Sequence, residues 1–154
     1  MSIFASMRNV SALVLFISIS ALAHAQVPAR LPTMTLNAGI HLVRAEVAST
    51  NDGRMQGLMF RKTLGTNEGM LFVFPNDERH CMWMKSTFVP LSVAFINDKG
   101  RIVSIHDMEP HTENSHCAAA IARYALEMNK GWFKGKGISA GALLGGIDKA
   151  PSPQ

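Results

Sequence analysis

Residues 91–108 carry the sequence LSVAFINDKGRIVSIHDM, which predicts a β-hairpin. Leu91, Val93 and Phe95 recur with the period of two that gives a strand one apolar face. The turn sequence NDKG follows, and Gly100 supplies the left-handed backbone that a tight hairpin turn requires. Two strands joined in this way pair antiparallel, so the hairpin indicates the type of sheet.

Further strands are predicted on both sides of the hairpin. Residues 70–74 (MLFVF) form a continuous apolar run of strand length, which is typical of a strand at the centre of a core. Residues 41–47 and 123–128 alternate as half-buried strands do, and residues 79–85 are another strand candidate. Short strands joined by turns favour a compact antiparallel β sandwich or barrel.

Only two short helices are expected beside these strands. Thr50 precedes a helical pattern as a capping residue, but Gly53 and Gly57 weaken the helix, so it is expected to be short. A helical turn is expected around Trp132 and Phe133. The predicted fold class is therefore mainly β, with one or two short helices as a minor α component.

The composition indicates a single domain with its own core. The chain has 154 residues, of which 47% are hydrophobic and 17% are charged, and it has only two cysteines. These values exclude a disordered chain, a collagen and a disulfide-dense scaffold. The formal net charge of +4 comes from basic residues spread along the chain, so a nucleic-acid partner is not expected.

The N-terminus has the organisation of a secretory signal peptide. An uncharged apolar stretch at 10–22 (VSALVLFISISAL) follows Arg8 and precedes Ala23-His24-Ala25, a small-x-small cleavage site. The stretch is shorter than a bilayer core requires, so no stable membrane span is expected after cleavage. The alternative is a leader that is kept as an anchor. The predicted localisation is exported, either periplasmic or extracellular.

The predicted domain boundaries follow from these patterns. Residues 1–25 form the signal peptide, and residues 26–38, which begin with QVPARLP, form a linker. Residues 39–148 form the single β-rich domain. Residues 149–154 (KAPSPQ) form a frayed tail.

Cys81 and Cys117 are the two cysteines, and an exported chain meets an oxidising compartment. An even count there predicts one disulfide, which would stabilise the fold by about 3–4 kcal/mol on the chain-entropy model. Two buried free thiols are the alternative.

A soft-metal site competes for the same segment. His80, Met82 and Met84 share one face of their strand by alternation, and imidazole and thioether ligands suit copper. His111 and His116 in the following loop would complete such a site. The competing interpretation is that the methionines fill the core. We expect no metal and no cofactor, and keep a copper-binding protein as the second alternative.

Asp107 and Glu109 are the candidate acid and base of an enzyme. They lie beside His106 and His111, and two carboxylates divide these roles when their environments separate their pKa values. A solvated loop explains the same residues without catalysis. No catalytic residue is assigned, and a cell-envelope enzyme using Glu109 or Asp107 is the first alternative function.

Several motifs, in this order, resemble the domain of unknown function 192 family. They are GLMFR at 57–61, EGMLFVF at 68–74, WMKST at 83–87, ARYALE at 122–127 and GWF at 131–133. The resemblance covers about Ile40 to Ile147. It implies a small, mainly β fold that is commonly exported and has no established activity.

Three positions depart from the resemblance. Family members often have Asn where Ser86 stands, Asp where Ser92 stands, and Cys where His111 stands. A ligand site that used those polar groups would be altered in this chain. The missing third cysteine leaves Cys81 and Cys117 as the only partners for each other.

The motif at 83–87 also indicates a binding surface. Trp83 and Lys85 share a strand face and precede Ser86 and Thr87, so an aromatic ring lies beside a cation and two hydroxyls. This set suits a sugar or an anionic small ligand, and burial of Trp83 in the core is the alternative. Four charged residues are expected to line the same area or to pair at its rim: Arg61, Glu109, Arg123 and Glu127.

These residues together predict an exported, non-enzymatic binding or accessory module of the cell envelope. Its expected partner is a small polar or anionic ligand, or another envelope component.

Overall fold

The computed structural model describes residues 31–154. The predicted signal peptide and the first residues of the predicted linker lie outside this range. Within it, no helix is long and apolar enough to cross a bilayer.

A mixed sheet of seven strands forms the body of the protein, in the order β6-β5-β8-β3-β2-β1-β9. A separate ribbon pairs β4 with β7. The strands are β1 (Thr33–Ala38), β2 (His41–Ala48), β3 (Glu68–Glu78), β4 (Cys81–Met82), β5 (Leu91–Ile96), β6 (Ile102–Met108), β7 (His116–Cys117), β8 (Ala122–Asn129) and β9 (Leu144–Gly145). The helices are α1 (Asn51–Gln56) and α2 (Trp132–Gly135), and a 3-10 turn covers Ile147–Lys149.

The mainly β fold class is confirmed, and its elements arise as the local chemistry requires. The run at 70–74 lies in β3, the fourth of the seven strands in the sheet. Gly100 turns the β5–β6 hairpin with φ +75°. The Thr50 side chain caps α1 by accepting a hydrogen bond from the Gly53 N–H at 3.0 Å, and α1 ends at Gly57, whose φ is +47°.

One pair of strands departs from the predicted antiparallel arrangement. β2 and β3 run parallel, whereas the other neighbours in the sheet are antiparallel. Parallel neighbours need a long crossover, and residues 49–67, which contain α1, provide it. The crossover places α1 on one face of the sheet.

The sheet curls towards closure, which agrees with the barrel alternative. β9 pairs with β1 at one edge, and the same segment forms a bridge from Leu143 to Arg101 at the start of β6. The Leu144 N–H donates to the Gly100 carbonyl at 2.8 Å, so residues 141–145 join the two edges at this end.

Each face of the sheet carries its own apolar core, since alternate residues of a strand point to opposite faces. We call these the α2 face and the α1 face. The core of the α2 face includes Leu36, Val43, Leu71, Ile96, Leu126 and Phe133. The core of the α1 face includes Leu58, Met70, Phe72, Met84, Val93, Phe95 and Met108.

The predicted linker and tail need correction. Residues 33–38 of the predicted linker form β1, which pairs with β2 and β9. Without β1, the backbone N–H and C=O groups on that side of β2 would lack hydrogen-bond partners. In the predicted tail, the Gln154 N–H donates to the Ser49 carbonyl at 2.8 Å, and the Gln154 carbonyl accepts from Arg54 at 3.1 Å. The tail is therefore held against the start of α1 rather than frayed.

Candidate functional site

A cleft of about 850 Å³ opens on the α1 face, over the middle of β2 and the beginning of β3. Helix α1 and the segment 59–61 form its wall, and side chains of β1, β2 and β3 form its floor. Small-molecule pockets in proteins have about 300–1,000 Å³, so the cleft has the size of a ligand site. Its principal lining residues are Thr33, Arg44, Glu46, Asp52, Gln56, Phe60, Arg61, Glu68 and Met70.

Two ion pairs lie in the cleft: one joins its wall to its floor, and the other joins neighbouring floor strands. Arg61 Nη2 lies 2.5 Å from Glu46 Oε2, and Arg44 Nη1 lies 3.1 Å from Glu68 Oε1. The Arg44–Glu68 pair is well exposed, whereas the Glu46 side chain keeps only 25% of its exposure. With Asp52, the lining carries three carboxylates and two guanidinium groups. This set of charges favours a polar ligand with a positive and a negative group over a purely anionic ligand.

Among residues 31–154, three non-glycine residues have left-handed backbone, and one of them lines the cleft. They are Phe60 (φ 63°), Ser86 (φ 55°) and His111 (φ 60°). Two hydrogen bonds connect their segments: the Phe60 N–H donates to the Ser86 carbonyl at 2.9 Å, and the His111 N–H donates to the Thr87 carbonyl at 3.2 Å. Such conformations are costly for L-residues and cluster at functional sites.

Aromatic rings from the same segments form a continuous group, which we call the aromatic rim: Phe60, Phe88 and His111. Phe88 lies between the other two, with ring centroids 6.4 Å from Phe60 and 4.8 Å from His111. Phe60 and Phe88 are 62% and 45% exposed. Because Phe60 also lines the cleft, the aromatic rim continues its wall with an apolar surface.

The predicted platform at 83–87 is only partly available to a ligand. Trp83 is 48% exposed, and Lys85 Nζ lies 5.4 Å from the centre of its ring, which is a cation–π distance. The Thr87 side chain, in contrast, is buried and its hydroxyl donates to the Lys85 carbonyl. Ser86 has the left-handed backbone described above, which Asn adopts more readily than Ser.

Of the four charged residues expected near this platform, only Arg61 lines the cleft. Glu109 forms an ion pair with Lys130. Arg123 donates to the Pro75 carbonyl at 2.7 Å and lies 3.7 Å from Asp77.

Glu127 is the fourth of these residues, and it is buried in the sheet. Its neighbours in the register are Met70 of β3 and Val93 of β5, so it points to the α1 face. Burial removes its carboxyl from water and raises its pKa from 4.5 to about 8. Met70 of β3 lies between Glu127 and Glu46 in the sheet, so Glu127 lies one strand beyond the floor of the cleft.

The candidate acid and base lie apart. Asp107 accepts a hydrogen bond from the Ser92 hydroxyl and points to the α2 face, where it lines a shallow depression with Phe133. Glu109 follows the end of β6 and is held by Lys130. The two carboxylates therefore do not meet at one position.

Cys81 and Cys117 form the predicted disulfide, with an S–S distance of 2.02 Å. They are opposite residues in the β4–β7 ribbon. The bond therefore links the segment after β3 to the loop before β8.

The predicted copper ligands separate into four places. His80 stacks on Phe74 at a centroid distance of 3.7 Å, Met84 is fully buried, and His111 belongs to the aromatic rim. Met82 and His116 are paired in the ribbon. Within residues 31–154, no group of three or more His, Cys, Asp or Glu side chains is placed to hold a metal ion.

Sequence reasoning missed most of the cleft. The sequence patterns assigned no role to Arg44, Glu46 and Glu68. Arg44 and Glu46 nevertheless alternate with the buried Val43 and Ala45, so they had to lie together on the opposite face of β2. Phe60 belongs to the motif at 57–61, whose pattern predicts no role for its ring. Nothing in the sequence places α1 over that side of the sheet.

Comparison with known proteins gives a family and no activity. The family model DUF192, described as Uncharacterized ACR, matches residues 33–145. One similar crystal structure is that of a protein from Sinorhizobium meliloti 1021, provisionally described as a transcription regulator. The two sequences are 34% identical and the TM-score is 0.71, over 75% of this chain and 94% of the other. A protein of unknown function from Novosphingobium aromaticivorans DSM 12444 is 31% identical with a TM-score of 0.71 and covers 74% of this chain and 85% of its own.

No curated protein matches the chain significantly. The family match extends from β1 to β9, so it includes the cleft and the ribbon as well as the sheet. The chain belongs to the uncharacterised DUF192 family.

Proposed function

We propose that the protein is a non-enzymatic binding module. In the cleft on the α1 face, it holds a small polar ligand that carries one positive and one negative group. The observation that supports this most is the Arg61–Glu46 pair, partly buried in a cleft of ligand size. A ligand with an ammonium and a carboxylate group can exchange partners with such a pair, so that neither protein charge is left unpaired.

The ligand class follows from the wall and floor together. The two ion pairs of the cleft offer positive and negative groups at separate points, and Phe60 adds an exposed ring beside them. Short peptides combine charged ends with apolar side chains and match this arrangement. We take the signal-peptide sequence to mean that the module is exported, with a peptide component of the cell envelope as its ligand.

The test uses three probes with the full chain, followed by amide NMR spectra: trialanine, citrate and N-acetylglucosamine. We expect trialanine to shift the amide signals of 44–46 and 59–61, and citrate and the sugar to leave them in place. Arg61→Gln should weaken trialanine binding by about tenfold, because one charged hydrogen bond is lost.

Arg123→Gln is the matched control, since Arg123 is also paired with a carboxylate but lies outside the cleft lining. It should bind trialanine as the parent does. Equal affinity in the Arg61→Gln variant and the parent, or no shift at the cleft with trialanine, would contradict the proposal.

A further inference from the structure

A second cluster of side chains lies on the α1 face, away from the cleft, where the β4–β7 ribbon crosses the sheet. Met82 and His116 are opposite one another in the ribbon. Opposite residues of an antiparallel pair lie on the same side, with Cβ atoms about 4.5–5.5 Å apart. Met82 packs against the core of the α1 face, so both side chains point towards the sheet.

His106 of β6 faces His116 from the sheet. Its ring centroid lies 6.2 Å from that of His116. Two imidazoles that bind one ion have centroids roughly 5–6.5 Å apart, because each metal–nitrogen bond is about 2 Å long. Met82, His106 and His116 are all partly buried, so the group is reachable from solvent yet held by its surroundings.

The orientation of His106 suits a metal ligand. Its Nε2 lies 3.3 Å from the Ser104 hydroxyl oxygen, which also accepts from the Ala119 N–H. With Nε2–H donating to Ser104, Nδ1 keeps a free lone pair, and such a second contact typically orients ligating histidines. Phe95 packs edge-on against the same ring at 5.9 Å and limits its rotation.

The disulfide holds the other two groups in place. Cys81 precedes Met82 and Cys117 follows His116, so the covalent link fixes the adjacent pair in its register. The unbound site is therefore ordered before any ion arrives, which lowers the entropic cost of binding.

We propose that Met82, His106 and His116 form a binding site for a soft monovalent metal ion of the Cu(I) class. Two imidazole nitrogens and one thioether sulfur, with no carboxylate, are ligands that select Cu(I) over harder divalent ions. This set differs from the one predicted by strand alternation, because His80, Met84 and His111 are held elsewhere. The site is separate from the cleft of the proposed function.

The test is a titration of the disulfide-bonded full chain with Ag(I) nitrate in chloride-free buffer. Ag(I) has the same preference for nitrogen and sulfur ligands and needs no reductant, so the disulfide stays intact. We expect one equivalent to shift the Met82 methyl signal and the ring signals of His106 and His116 in NMR spectra, while the Met84 methyl signal stays in place.

Three variants test the ligands one by one: Met82→Leu, His106→Gln and His116→Gln. Each should raise the Kd for Ag(I) by more than about tenfold, because loss of even a ligand's hydrogen-bond partner costs about tenfold to 100-fold in metal affinity. Met55→Leu and His80→Gln are matched controls and should bind as the parent does, since Met55 is exposed on α1 and His80 is stacked on Phe74.

Thermal melting of each variant with its disulfide intact identifies those that remain folded, and Ag(I) affinity is compared among these. Parent-like affinity in the folded ligand variants would overturn the proposal. Shifts centred on Met55 or His80, or equally tight binding of Zn(II) by the same three residues, would also overturn it.

Discussion

At the scale of single residues, Glu127 places a carboxyl group where ionisation is unfavourable. It is buried between Met70 and Val93, and burial raises its pKa to about 8. The folded chain therefore keeps a proton that the unfolded chain releases near its ordinary value of 4.5. Between these pH values the folded state binds more protons, so stability falls as the pH rises.

We expect Glu127→Gln to remove this dependence. The free energy of unfolding of the parent should fall by at most about 1.4 kcal/mol per pH unit through the window from pH 4.5 to 8, relative to the variant. Urea denaturation at several pH values measures the difference. Glu109→Gln is the control, since Glu109 is exposed, and a parent-like slope in Glu127→Gln would disprove the assignment.

Ser86 is the second residue with an unusual feature, which is the conformation of its backbone. A left-handed φ of 55° costs a serine about 1–2 kcal/mol, whereas asparagine is tolerated there. The Asn that the family resemblance implies at this position therefore has a conformational explanation that requires no ligand.

Ser86→Asn should accordingly stabilise the protein by about 0.5–1 kcal/mol, because it relieves this strain. Urea denaturation again provides the measurement. Ser152→Asn, an exposed change outside the left-handed positions of residues 31–154, should leave stability unchanged. A loss of stability in Ser86→Asn would mean that the hydroxyl itself is needed.

At the scale of elements, the β4–β7 ribbon depends on its covalent link. The ribbon has two residue pairs, and one of them is Cys81 with Cys117. A two-stranded ribbon of this length has little stability by itself. The disulfide therefore stabilises the whole domain and also keeps the segment at 112–117 on the α1 face.

We expect the double variant Cys81→Ser, Cys117→Ser to lose about 3–4 kcal/mol of unfolding free energy. Mass spectrometry should show that the parent gains two hydrogens on reduction, and the variant none. If the reduced parent and the oxidised parent unfold at the same urea concentration, the bond does not carry this stabilisation.

Elements governed by neighbouring residues were predictable from the sequence. Gly100 in its turn, Thr50 as a cap, and the apolar run at 70–74 act through local rules, and the structure confirms each. The β2–β3 parallel pair was missed, because it depends on how residues 49–67 cross the sheet. β1 was missed because the prolines before it suggested a linker.

At the scale of the whole molecule, the cleft shows why site prediction was harder than fold prediction. Arg61 and Glu46 come from the wall and the floor, and they meet only because α1 leads the chain back over β2. Trp83 and Lys85 lie side by side, but not on a strand as predicted: of the predicted strand at 79–85, only Cys81–Met82 is a strand in the structure. Long-range proximity is decided by topology, which composition and periodicity do not contain.

Export of the protein remains a prediction. We expect protein recovered from the producing cell to begin at Gln26, because the small-x-small pattern at 23–25 predicts cleavage after Ala25. Mass spectrometry of the N-terminal peptide measures this. Recovery from the cytoplasm with Met1 and the leader still present would contradict it, and a leader-bearing protein in the membrane fraction would indicate the anchor.

The short segment at 141–145, which touches β1 on one side and the start of β6 on the other, affects how readily copies of the protein associate through their sheet edges. Unpaired backbone at a sheet edge is a template on which a second molecule can add a strand. Because β9 pairs with the end of β1 and the adjacent Leu143 bridges to Arg101, we expect these stretches of backbone to be closed to strand addition by a second copy.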